Sequence, residues 1–142
     1  MFRVREAVVR YKTTSAAVDK IEKPEDVYAF SERMLKGETR ECLYCLYLDI
    51  NGRIVCFEKV SIGKSDCAFA DLKEIIRKGL LVGAEALILV HNHTSGDSTP
   101  SPEDKSFSVK LREVSRMFDM ELLDHVVIGD GEYTSLKEIG IL

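Results

Sequence analysis

The chain has 142 residues, a formal net charge of −4, and is 45% hydrophobic and 31% charged. That length suits one domain around one core, and that balance excludes a disordered chain. No apolar run approaches the roughly 18 to 20 residues that span a bilayer, and the opening MFRVREAVVRYK lacks the apolar block of a signal peptide, so a cytoplasmic protein with no membrane partner is expected.

Residues 2–12 alternate apolar and polar positions and suggest a first strand, with Arg3, Arg5, Arg10 and Lys12 as the solvated charges of a sheet edge. Pro24 opens a predicted helix, PEDVYAFSERMLKG, with acids in its first turn and Gly37 as its stop signal. ECLYCLYLDI is almost continuously apolar and reads as a strand buried on both faces. Asn51-Gly52 is a two-residue hairpin signal joining it to RIVCFEKV. SIGKSDCAF has the composition of a loop. ADLKEIIRKGLLVG then places Leu72, Ile75, Ile76, Leu80 and Leu81 on one helical face.

EALILV is a short buried strand running into the loop HNHTSGDSTPS. A helix from Pro102 carries Phe107, Val109, Leu111, Val114 and Phe118 as its apolar positions. LLDHVVIG is a strand, Asp130-Gly131 a second hairpin turn, EYTS its partner and LKEIG a short terminal helix. The four cysteines, Cys42, Cys45, Cys56 and Cys67, lie in or beside apolar segments and read as free buried thiols. Odd spacing within a strand sends Cys42 and Cys45 to opposite faces, which argues against a redox or metal pair.

The chemistry concentrates after EALILV. In extended backbone His91 and His93 point the same way, and Asp104, in the first turn of the next helix, can approach from another direction. Two imidazoles and a carboxylate leave one tetrahedral position of a zinc ion open, the arrangement of a catalytic site. Hydrolysis at such a site needs a proton acceptor. Glu58, between apolar Phe57 and nearby Val60, is the candidate base, and the hydroxyl of Ser101 a candidate oxyanion donor. Plainer readings stand beside these: ordinary histidines, a solvent-facing strand glutamate, and a capping box in Ser101-x-x-Asp104. Capping and metal binding are compatible, since a capped helix start would hold Ser101 and Asp104 rigidly.

Glu58, then His-x-His, then seven residues, then Ser-x-x-Asp resembles the JAMM (JAB/MPN) metalloprotease motif. HNHTSGDSTPSPEDK followed by LLDHVVIGDGEYTSLKEIG resembles the RadC family branch of that superfamily, from the Asn51-Gly52 hairpin to Leu142. The resemblance implies an α/β fold, a single JAMM/MPN-like domain over residues 1–142 with a mixed β-sheet flanked by helices in cytidine-deaminase-like layering. It implies one zinc per chain held by His91, His93 and Asp104, Glu58 as general acid/base, Ser101 as oxyanion support, and a peptide or protein substrate for a peptidase or isopeptidase.

Thr94 stands where the family often has proline. Longer family members carry an N-terminal helix-hairpin-helix DNA-binding region, which is not expected within these 142 residues. A RadC-like accessory in DNA repair or mobile-element biology, acting by binding nucleic acid, is the alternative function. Asn92, Ser95, Asp124 and His125 are further residues expected around the site, as substrate contacts, supports of the ligands or simple turn formers.

Overall fold

The computed structural model describes residues 1–62 and 70–142. Strand β1 (Cys42–Leu48) is buried at all seven positions, so it needs a partner on each side and a layer over each face. It pairs antiparallel with β2 (Ile54–Ile62) and antiparallel with β3 (Ala86–Asn92). β3 runs parallel to β4 (Glu121–Ile128), which pairs antiparallel with β5 (Tyr133–Ser135). The result is a five-stranded mixed sheet of order β2-β1-β3-β4-β5, as the α/β reading requires.

Strand parity divides the core. Leu43, Cys45, Tyr47, Leu87 and Leu89 face α2 (Leu72–Val82) and α3 (Pro102–Arg116), whereas Cys42, Tyr44, Leu46, Ile88 and Val90 face α1 (Pro24–Met34). Cys42 and Cys45 therefore do point to opposite faces, and with Cys56 they are free thiols. β3, α3 and β4 form the crossover that parallel strands require, and it carries His91, His93 and Asp104.

Several local expectations are corrected. Residues 2–12 form no strand, and their side chains are exposed. The edge they were expected to occupy is met instead at Arg53 by a bridge to Lys20, with Ile54 N–H donating to the Asp19 carbonyl at 2.8 Å. The first hairpin closes through more than Asn51-Gly52. The Asp49 carboxylate accepts from Asn51 N–H and Arg53 N–H, and Gly52, at φ 79°, donates to the Asp49 carbonyl. The predicted loop over residues 61–69 overlaps the end of β2 at Ser61 and Ile62, while 63–69, Cys67 included, lie outside the described residues.

On α2 the buried face is Ile75, Ile76 and Gly79, whereas Leu80 and Leu81 are exposed. Gly79 is needed for that close approach, because a Cβ there would stand 2.6 Å from the Met120 sulfur. On α3 the buried face is Asp104, Ser108, Leu111 and Ser115. Phe107 and Val114 pack partly against the core, and Phe118 lies beyond the helix and is exposed. LKEIG forms hydrogen-bonded turns rather than a helix.

Candidate metal centre

His91 is held by both neighbours of a central strand, opposite Leu43 on β1 and Val127 on β4. His93 follows the end of β3, and its N–H donates to the Ile128 carbonyl at 2.9 Å. Being two residues apart on extended backbone, the two rings share a face and meet edge to face with centroids 4.9 Å apart. Asp104 comes to them from α3. Ser101 caps that helix: its Oγ accepts from Asp104 N–H at 3.0 Å, and its own N–H donates to Asp104 Oδ2 at 2.8 Å. The plain capping reading thus holds, in the same residues that the ligand reading names.

The Asp104 carboxylate is wholly buried and lies between the imidazoles, Oδ1 3.0 Å from His91 Nδ1 and Oδ2 3.1 Å from His93 Nε2. His93 Nδ1 stands 2.9 Å from the Asp97 carbonyl, which can only accept, so Nδ1 carries a proton. In the neutral ring Nε2 is then a lone pair facing a carboxylate. Two acceptors in that position call for a positive group between them, a proton or a metal ion, and the hydrogen bond to Asp104 raises the His93 pKa accordingly. One ligand atom from each of the three residues lies within 4.8 Å of the others.

A second carboxylate faces the same imidazoles. Glu41, immediately before β1, is 9% exposed, and its Oε2 lies 3.9 Å from His91 Nε2 with no hydrogen-bond partner among the described residues. Its Oε1 accepts long hydrogen bonds from Thr94 N–H and Oγ1, at 3.3 and 3.4 Å. With both imidazoles neutral, Glu41 and Asp104 would bring two negative charges into a nearly closed site. Buried charge on that scale is stable only when paired. A divalent cation fits this donor set in charge and in ligand chemistry, with His91, His93 and Asp104 as the residues that could hold it.

The sequence model of one family, the RadC-like JAB domain, matches residues 21–141. The chain belongs to that family. It is 39% identical over 123 residues to a UPF0758 protein of Methanosarcina acetivorans, covering 87% of this chain and 54% of that one. It is 35% identical over 122 residues to a UPF0758 protein of Aquifex aeolicus, covering 86% and 52%. A Clostridium perfringens UPF0758 protein is 35% identical over 133 residues, 94% of this chain and 59% of its own. This RadC-like JAB domain thus spans about half the length of the curated relatives it matches. Among its described residues no helix is long and apolar enough to cross a membrane.

The structure does not bring Glu58 to the three ligand candidates. Glu58 pairs with Cys45 across the β1–β2 ladder, accepts from the Tyr47 hydroxyl at 2.8 Å and faces Lys78 Nζ of α2 at 3.3 Å. A buried phenol and an ammonium thus both engage its carboxylate. Glu41, by contrast, lies beside His91. The clue was present in the sequence as a lone acid opening a run of apolar residues. Using it required the β1–β3 pairing, whose register places Leu43 beside His91 and carries Glu41 toward His93.

The remaining residues sort by their partners. Asn92 accepts from Cys42 N–H at 2.6 Å and donates to the Arg40 carbonyl at 3.0 Å. Ser95 Oγ accepts from the Asp97 N–H in an exposed turn. Asp124 accepts from His125 N–H, Ser135 Oγ and Lys137 N–H, tying β4 to the C-terminal turns. Burial raises its pKa against those three bonds. His125 is wholly buried beside His91, and burial pushes its pKa down to about 3. The loop after His93 is clamped to the second hairpin: Ser98 N–H donates to Glu132 and Ser98 Oγ bonds Thr134 Oγ1 at 2.8 Å.

Proposed function

We propose that this domain is a metal-dependent hydrolase of the JAMM type, a peptidase or isopeptidase acting on a peptide or protein substrate. The observation that carries the reading is the pairing of two buried carboxylates, Glu41 and Asp104, with His91 and His93 in one nearly closed site. His91, His93 and Asp104 would hold the metal, zinc being the preferred ion for mixed imidazole and carboxylate ligands. When bound, such an ion acidifies water and polarises a carbonyl as a Lewis acid.

Glu41 takes the part of general base, since its Oε2 lies beside His91 and, among the described residues, has no hydrogen bond to occupy it. It accepts a proton from the attacking water and returns it to the leaving amine. Thr94 holds the other carboxylate oxygen and so orients the free one. Ser101 Oγ uses a lone pair on Asp104 N–H, which leaves its hydrogen to donate to a developing oxyanion.

The test is metal content by elemental mass spectrometry of the wild type, His93→Ala and Asp104→Ala. Near-stoichiometric zinc in the wild type, lost in both variants, supports the reading. A wild type that stays empty when zinc is added back overturns it.

A further inference from the structure

A third imidazole lies against the centre. His125 sits on β4 opposite Leu89, wholly buried, with its ring centroid 6.1 Å from that of His91. Its Nδ1 is 2.6 Å from Ser108 Oγ, and the same Oγ lies 2.8 Å from the backbone carbonyl of Asp104. A hydroxyl carries one hydrogen. When Ser108 donates it to the Asp104 carbonyl, His125 Nδ1–H donates to Ser108 in turn, and a continuous chain runs from β4 through α3 to the residue that holds the carboxylate.

Two features set this chain apart from ordinary packing. Ser108 occupies the wholly buried face of α3, between Asp104 and Leu111, where alanine would fill nearly the same space with no polar atom to satisfy. Among the described residues His125 Nε2 has no hydrogen-bond partner, so an apolar side chain in its place would leave no partner of that nitrogen stranded. What serine and histidine add together is the bond between them.

We infer that His125 is a positioning residue for the metal centre: through Ser108 it fixes the first turns of α3 against β4 and sets where the Asp104 carboxylate stands between His91 and His93. The inference rests on the metal reading above. Its neutral ring, held so by burial, adds no charge to repel a cation. Support behind a ligand of this kind typically changes metal affinity by about 10- to 100-fold.

The experiment is zinc affinity by competition with a chromogenic chelator, on the full chain, with folding monitored by near-ultraviolet circular dichroism. His125→Phe and Ser108→Ala are expected to bind zinc about 10- to 100-fold more weakly than wild type. His125→Asn, whose amide can stand where Nδ1 stood, is expected to recover most of that loss. Leu111→Ala, a core truncation on the same helix, is expected to lose stability and keep zinc affinity. Should His125→Phe fail to fold, Ser108→Ala, which removes one oxygen, decides alone. Wild-type affinity in a folded Ser108→Ala overturns the inference, as does an equal loss in Leu111→Ala. A wild type that binds no zinc overturns the metal reading itself.

Discussion

Asn92 clasps the backbone on either side of Glu41. Its Oδ1 accepts from Cys42 N–H and its Nδ2 donates to the Arg40 carbonyl, so a side chain replaces the next rung of the β1–β3 ladder. The backbone of β3 is thereby released toward β4, where His93 N–H finds the Ile128 carbonyl. The two strands part, and the candidate centre lies where they separate. Asn92→Ala removes both bonds and leaves Cys42 N–H without its partner. The expected cost is about 1 to 3 kcal/mol, with faster hydrogen exchange at the Cys42 amide. Zinc content should stay at the wild-type level, because the three ligand candidates are untouched.

Glu41 and Glu58 separate cleanly by mutation. On an identified substrate Glu41→Gln should lower kcat by about 100- to 10,000-fold, the range of general acid–base catalysis, with zinc retained. Glu58→Gln should leave kcat within a few-fold of wild type. It should instead lower stability in urea by about 1 kcal/mol, since it weakens the bond to the buried Tyr47 hydroxyl and discharges a half-exposed pair with Lys78. A kcat loss confined to Glu58→Gln would reverse the assignment.

Metal binding should also register as stability. Free zinc at about 100 times its Kd adds about 2.7 kcal/mol to the folded state, worth about 10 °C in Tm for a chain of this size. Chelation should reverse the shift. Asp104→Asn keeps an acceptor for Ser101 N–H but loses the charge between the imidazoles, and its Tm should not respond to zinc.

His125 predicts a pH dependence with a definite sign. Its pKa in the folded chain is pushed down to about 3 by burial, whereas an exposed histidine titrates near 6.5. Below about pH 6.5 the unfolded chain therefore binds a proton that the folded chain refuses, and stability falls as pH drops toward 3. The contribution is present in full above that range. Each pH unit within it costs about 1.4 kcal/mol, so His125 takes about 2 kcal/mol from the metal-free protein between pH 6.5 and 5, opposed by His93, whose raised pKa acts in the other direction. Urea unfolding at both pH values, with chelator present, measures the slope, and His125→Asn should flatten it.

The legibility of this chain follows from the range of its interactions. Elements fixed by local pattern are visible in the sequence: the apolar run of β1, the helical spacing of Leu72, Ile75 and Ile76 in α2, and the Pro102 start of α3 with its capping serine. His91, His93 and Asp104 are visible because the β3–α3 connection is short and parity and capping orient all three. Glu41 depends on which strand lies beside β3, a long-range pairing that no local pattern specifies. Residues 2–12 alternate like a strand, yet alternation alone supplies no partner, and the edge at Arg53 is met by Lys20. Leu80 and Leu81 read as core by hydrophobicity, but the helix turns Gly79 inward to reach Tyr47 and Met120.

Gly129 tests how far the second hairpin governs the centre. A Cβ there would stand 2.4 Å from the Gly96 carbonyl oxygen and 2.9 Å from Ser98 N. Both are backbone atoms of the loop that follows His93, so neither can swing aside as a side-chain tip would. Gly129→Ala must displace that loop, which Ser98 ties to Glu132 and Thr134. The expected cost is about 1 to 3 kcal/mol, as for overpacking elsewhere. The displacement also reaches the Asp97 carbonyl that orients His93, so zinc affinity should fall together with stability. Gly131→Ala offers the contrast. Gly131 is also a hairpin glycine, at φ 66° but with open space around it, and its cost should come from backbone strain alone. Zinc competition on the two variants distinguishes them: equal affinity in both would mean that the hairpin holds the loop without reaching the ligand.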